Sequence, residues 1–222
     1  RVQGLMKKMC VHDWQNIEIM NAAVSEHVDE YIAYLCPRMQ RQGFLYRDVA
    51  RMVKNDRNIF AASMLRAGHG DVMITGATRN YTVSLDNITR VIDAKPGEFL
   101  FGITMVVAKG KTLFFGDTTV QELPEAEKLA HIAARMACKA RRMGHEPRVA
   151  LLSYSTFGNP MREKSARIRD AVKVLDTMKV DFEYDGEMAA DVALDAELMS
   201  LYPFCRLSGP ANVLVMPALH TA

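Results

Sequence analysis

Apolar residues recur along this chain in two alternating patterns, stretches at helical spacing and short unbroken runs of strand length, which together predict an α/β layered fold. Segment 27–41 puts Val28, Tyr31, Ile32 and Leu35 on one helical stripe and is broken by Gly43. Further helical stretches cover 45–54 and 59–67, the second closed by Gly68. Short strands are predicted at 17–20 and 71–75. The middle of the chain changes character. Runs 100–107 and 112–115 flank Ala108-Lys109-Gly110-Lys111 and read as an antiparallel hairpin. Pro124 opens a long helix whose apolar face is Leu129, Ile132, Ala133, Met136, Ala140 and Met143, with Gly144 just past its end. A strand at 148–153, a helix at 165–179, a strand at 182–185, a mostly helical stretch at 188–201 and a buried strand at 211–216 complete the series.

A hairpin inserted into a βα series calls for a second subdomain with its own mixed sheet. The strongest turn signal, Lys95-Pro96-Gly97, sets the expected boundary: 1–95 forms part of a first α/β subdomain and 96–222 a second. The opening Arg1-Val2-Gln3-Gly4 has neither an initiator Met nor a signal-peptide core, and Ala218–Ala222 stops where a βα unit turns into its helix. Both ends therefore read as cuts within a longer protein.

Composition narrows the function classes. Twenty-eight Lys and Arg against 26 Asp and Glu leave a formal charge of +2, without the basic surplus or stripe expected of a nucleic-acid binder. No apolar run approaches the roughly 18 residues of a membrane span, so no membrane partner is expected. Cys10, Cys36, Cys138 and Cys205 form no CxxC pair and no zinc spacing with histidine, and read as buried reduced thiols of a cytoplasmic protein. The methionines, Met136, Met143 and Met178 among them, read as core filler. Arg141 and Arg142 complement the negative end of their helix dipole and read as a solvated helix end.

Ligands in α/β sheets bind beyond the carboxyl ends of strands, where loops and helix N-termini present free N–H groups. Three such segments are rich in small polar residues: 75–82 with Gly76, Thr78 and Arg79; 153–160 with Ser153, Ser155, Thr156, Gly158 and Asn159; and Asp185-Gly186-Glu187 with Asp191. The second has the composition of an anion cradle, with hydroxyl donors and a glycine that lets backbone N–H groups approach a phosphate. It is neither a P-loop nor a G-x-S-x-G elbow. Asp117, Asp185, Glu187 and Asp191 read as solvated loop carboxylates rather than a magnesium site, and the six histidines as surface or packing residues, so no metal ligand and no catalytic residue is assigned.

At these loops the order of motifs becomes informative. Val149-Ala150-Leu151-Leu152-Ser153-Tyr154-Ser155-Thr156-Phe157-Gly158, then Phe182-Glu183-Tyr184-Asp185-Gly186-Glu187-Met188, then Ala211-Asn212-Val213-Leu214-Val215-Met216-Pro217 resemble the phosphate acetyl/butyryltransferase family from about Asp29 to the end. Within it, Arg41–Asp48, Asn55–Ala62, Thr78–Tyr81 and Val180–Leu194 are similar to the phosphotransacetylase-like C-terminal region of bacterial hybrid NADP-dependent malic enzymes. The resemblance implies two three-layer α/β/α subdomains, like those of isocitrate and isopropylmalate dehydrogenases, with coenzyme A in the cleft between them and a dimer or higher assembly. In active transferases the CoA thiolate attacks acetyl phosphate while arginines hold the phosphate, a role suited to a fixed, always-charged fork. One such arginine belongs to a Thr-Leu-Arg-Pro run. The matching run here is Ser84-Leu85-Asp86-Asn87, and a second family arginine corresponds to Arg38. The family's Ser-Arg and Asp cluster falls after Ala222.

The closer resemblance implies a region of an NADP- and Mg2+- or Mn2+-dependent malic enzyme that binds acetyl-CoA as an allosteric effector, self-associates, partners the catalytic domain of its own chain, and does not itself transfer acetyl groups. The expected ligand set is Ser153, Ser155, Thr156, Gly158, Asn159, Gly76, Thr78, Arg79, Arg38, Asp185 and Glu187. The alternative is a working phosphate acetyltransferase; a purely structural oligomerisation module is the third reading.

Overall fold

Successive residues of a strand face opposite ways, and the second half of the chain uses this to build three layers. In strand β3 (Arg148–Leu152), Val149 and Leu151 face one side while Ala150 and Leu152 face the other. Strand β5 (Val213–Val215) divides in the same way, Val213 and Val215 against Leu214. Two long helices, α6 (Ala126–Arg142) and α7 (Glu163–Met178), bury Leu129, Ile132, Met136, Ile168 and Leu175 on the first face. The short helices α8 (Ala190–Leu194) and α9 (Ala196–Ser200) cover the second with Ala193 and Met199. The sheet is completed by β1 (Ile103–Ala108), β2 (Lys111–Gly116) and β4 (Glu183–Met188), in the order β1-β2-β5-β3-β4. Only the β1–β2 pair is antiparallel.

The structure is a computed structural model and describes residues 2–10, 16–161 and 163–219; the extreme termini named above lie partly outside that range. Residues 1–98 and 99–222 form two compact units. Local chemistry sets the element ends. The hairpin turns on Lys109 (φ 51°) and Gly110 (φ 73°), and Ala108 pairs with Lys111. Two positive φ values are the requirement of a two-residue type I′ turn. Helix α6 ends with the Gly144 N–H donating to Arg141 O (2.9 Å) and the His145 N–H to Ala140 O (3.0 Å), a Schellman closure in which Gly144 takes φ +85°.

In the first unit, helix α2 (Val28–Met39) buries Val28, Tyr31, Ile32, Leu35 and Met39 against Val49 and Val53 of α3 (Tyr46–Asn55) and Ile59 and Phe60 of α4 (Arg57–Arg66). Two further helices, α1 (Val2–Lys8) and α5 (Tyr81–Thr89), were not anticipated from the pattern. Several expectations need correction. Segments 17–20 and 71–75 do not form strands, and among its described residues the first unit carries no strand at all. A strand exists only when its N–H and C=O groups find a partner; here Val72 and Ile74 stay 78% and 94% exposed. Among the described residues the five-stranded sheet lies entirely in the second unit. The cysteines are free but not buried: Cys10 and Cys138 are exposed, Cys36 and Cys205 half-buried. Met136 is core, whereas Met143 is exposed. No helix among the described residues is long and apolar enough to cross a membrane.

Candidate functional site

The carboxyl end of β3 runs into the loop singled out by its hydroxyls. Thr156 and Asn159 exchange backbone hydrogen bonds of 3.1 and 3.0 Å around Phe157 (φ 47°) and Gly158 (φ 88°), which makes 156–159 a tight turn with two left-handed residues. A bulky side chain in the left-handed region is unusual. The strand next to β3 holds it there. The β3–β4 ladder pairs Leu151 with Gly186 and Leu152 with Met188, so Glu187 is the extra residue of a bulge. Bulges re-aim side chains near sites, and this one brings Glu187 to the turn from both its main chain and its side chain. The Phe157 N–H donates to Glu187 O (2.8 Å) and the Gly158 N–H to Glu187 Oε1 (3.1 Å). The Ser155 hydroxyl donates to the same Oε1 (2.9 Å), as does Arg169 Nη1 of α7 (2.7 Å), which also reaches Ser165 Oγ at 3.3 Å.

The donors that made 153–160 resemble an anion cradle are thus filled by the chain's own carboxylate. Glu187 and Ser155 are both fully buried. A phosphate brought to these donors would meet a negative charge already in place. Ser153, Tyr154 and Asn159 remain at least partly open to solvent, while Thr156 is buried with its Oγ1 accepting from the Ala189 N–H (3.1 Å). Arg169 was missed in the sequence. The signal that could have found it is the rule that a buried carboxylate requires a cation or several donors.

Of the other acidic residues singled out, Asp185 and Asp117 are buried rather than solvated. Asp185 is buried and accepts from the Gly186 N–H (2.9 Å) and the Arg206 N–H (2.7 Å), which ties β4 to the turn before the final strand rather than to the 153–160 loop. Asp117, 2% exposed, accepts the backbone N–H groups of Gly102, Thr119, Val120 and Gln121 at 2.6–3.1 Å. Only Asp191 is exposed, as expected. Burial pushes the Cys205 thiol up, and the charge of Asp185 adds to this, against the lowering by the Leu207 backbone.

The first unit gathers its predicted residues at a different centre. Asp56 caps α4 by accepting the N–H groups of Asn58 (2.8 Å) and Ile59 (3.2 Å). Its other oxygen takes Arg79 Nη1 (2.5 Å) and Asn87 Nδ2 (3.2 Å). Thr75 Oγ1 donates to Asn58 Oδ1 (2.6 Å), and Arg57 Nη2 donates to Thr78 Oγ1 (3.1 Å), with Gly76 exposed at φ +124° beside them. Burial pushes the Asp56 carboxyl up, but the Arg79 hydrogen bond and the two backbone amides outweigh it and hold the group below the usual carboxylate range. Arg38 is not part of this centre. It forms a two-pronged pair with Asp93, 2.8 Å on each arm, and donates to Arg90 O (3.3 Å). Asp86 lies exposed on α5.

This three-layer unit, with its Ser-rich turn locked beneath the carboxyl edge of a mixed sheet, belongs to a recognised class: the chain is a member of the phosphate acetyl/butaryl transferase family, whose model matches residues 3–222. Among its relatives it is 54% identical over 210 residues to the NADP-dependent malic enzyme of Rhizobium meliloti, which covers 95% of this chain and 28% of that enzyme. To the phosphate acetyltransferase of Staphylococcus aureus (strain Mu50) it is 30% identical over 226 residues, covering 99% of this chain and 68% of that protein. The EutD phosphotransacetylase structure from the same species superposes with a TM-score of 0.80 at 28% identity, over 99% of this chain and 67% of that one. The chain thus spans little more than a quarter of the malic enzymes it matches, and it shares the phosphotransacetylase fold.

Proposed function

We propose that this chain is the phosphotransacetylase-like region of an NADP-dependent malic enzyme, and that it binds acetyl-CoA as an effector and assembles subunits without transferring acetyl groups itself. The parent chain would oxidatively decarboxylate malate to pyruvate in the cytoplasm, with NADP and a divalent metal held outside this region. The observation that carries the reading is electrostatic. Acyl exchange with phosphate needs guanidinium groups available to the dianion. Here Arg38 is committed to Asp93 and Arg79 to Asp56, and a carboxylate, Asp86, stands where the family resemblance leads one to expect an arginine. Reversing a charge beside a phosphate turns attraction into repulsion, a change of several kcal/mol in a partly desolvated site. The neutral amides, hydroxyl and thioester of an acetylpantetheine arm carry no such penalty, and Ser153 and Asn159 offer them neutral polar partners. Identity of 54% to a malic enzyme, against 30% to a phosphate acetyltransferase, points the same way.

Regulation then requires only that acetyl-CoA bind two assembly states with different affinity. The test is thermal unfolding of the full-length protein with and without acetyl-CoA. At 100 times Kd, binding to the native state adds about 2.7 kcal/mol, so the melting temperature rises and malate oxidation changes with it. If acetyl-CoA moves neither, the region is a structural assembly module and the effector reading is wrong.

A further inference from the structure

Away from these loops, the first unit brings a distant histidine, His69, to a histidine and a carboxylate one helical turn apart, His27 and Glu30. His27 is the N-cap residue of α2 and Glu30 lies in its first turn. His69 follows α4, where the Gly68 N–H donates to Leu65 O (3.2 Å) and the His69 N–H to Met64 O (3.0 Å). That is a Schellman closure with Gly68 at φ +82°, so the backbone of His69 is fixed by the helix end. One ligand atom from each of His27, Glu30 and His69 lies within 4.8 Å of the other two, the only such trio among the described residues. The two imidazole centroids are 4.2 Å apart, and His27 Nδ1 is 3.7 Å from Glu30 Oε2.

A buried outer partner accompanies the trio at His69. The Tyr31 hydroxyl, on a side chain 1% exposed, lies 2.9 Å from His69 Nδ1. With Nδ1 donating to that hydroxyl, Nε2 carries the available lone pair. Glu26 Oε1 stands 3.6 Å from His27 Nε2, the ring nitrogen away from Glu30. An outer partner that fixes tautomer and ring angle is the usual companion of a metal-bound histidine. Two histidines and one carboxylate, with a solvent-facing fourth position, form the donor set of an open tetrahedral zinc site.

We propose that His27, Glu30 and His69 bind a divalent transition metal of the zinc class, clamping the start of α2 to the end of α4. Neither the malic enzyme reading nor the transferase reading calls for a metal in this unit. Zn2+ titrated calorimetrically into the full chain, stripped beforehand with chelator, is expected to show, besides the metal of the catalytic region, one further site per chain that is lost in His27→Ala and His69→Ala. Glu30→Gln, an exposed substitution that spares the fold, is expected to weaken that site at least tenfold, and Tyr31→Phe, which keeps the ring packing, about 10–100-fold. Co2+ should give the intense visible absorption of a tetrahedral site in the parent and not in His69→Ala. Absence of that further stoichiometric site in the parent overturns the proposal. So does zinc binding unchanged in both histidine variants, which would place the metal elsewhere in the chain.

Discussion

Replacing Arg169 with alanine is expected to destabilise the second unit by about 3 kcal/mol. Glu187 is fully buried and, among the described residues, its Oε1 draws on three donors, of which the Arg169 guanidinium is the only charged one. Removing the cation leaves a carboxylate with only the Ser155 hydroxyl and the Gly158 N–H to replace its hydration. Breaking one side of a buried pair typically costs about 3–5 kcal/mol. The lower end applies because the Arg169 side chain keeps 28% of its surface in water and two neutral donors remain. Because Glu187 also holds the left-handed Phe157, the 156–159 turn should loosen in the same variant. Urea unfolding with a probe in this unit measures the loss. A double variant, Arg169→Met with Glu187→Met, should recover most of it, since apolar replacement of a whole buried pair is often neutral. A loss below about 1 kcal/mol for Arg169→Ala alone would show that the pair is not the turn's anchor.

Asp56→Ala is expected to cost about 2–4 kcal/mol, by two routes. Loss of an Asp N-cap costs about 1 kcal/mol. The substitution also strips the acceptor from Arg79 and from the buried Asn87, each a donor left short at about 1–3 kcal/mol before local relaxation. The same carboxylate makes stability depend on pH. Its folded pKa lies below the unfolded value, so its contribution is complete above the unfolded pKa of about 3.9 and is lost as pH falls through that value toward the folded one. Acid unfolding of Asp56→Asn should therefore show a shallower decline below about pH 4 than the parent. An identical acid profile would remove Asp56 from the account.

The second unit was largely legible from residue pattern. Lys109-Gly110 supplied the hairpin turn, the stripe from Leu129 to Ala140 marked α6, and the glycine after it supplied the helix stop, because each depends on local chemistry alone. The first unit was legible only in its helices. The apolar runs at 17–20 and 71–75 have strand composition, but strand formation is a property of pairs, and no described segment pairs with them. Helix α5 was hidden because its start falls in segment 75–82, whose small polar residues read as a loop, although Asn80 caps the helix by accepting the Thr82 N–H at 2.9 Å. The candidate site was visible as composition and misjudged as electrostatics. Ser155, Gly158 and Glu187 were all picked out, yet the bulge that turns Glu187 onto the other two has no signature at the level of residue types. The same holds for His69, 38 residues from Tyr31 and joined to the His27–Glu30 turn only by tertiary packing.

Thiol release from acetyl phosphate and CoA by the full-length protein tests the central claim most directly, with the Staphylococcus aureus phosphate acetyltransferase run alongside. With Arg38 and Arg79 held by internal carboxylates and Asp86 where the proposed reading expects an arginine, no turnover above the uncatalysed rate is expected, while acetyl-CoA still alters malate oxidation in the same preparation. Turnover comparable to that of the staphylococcal enzyme would contradict the account and make this chain a working transferase.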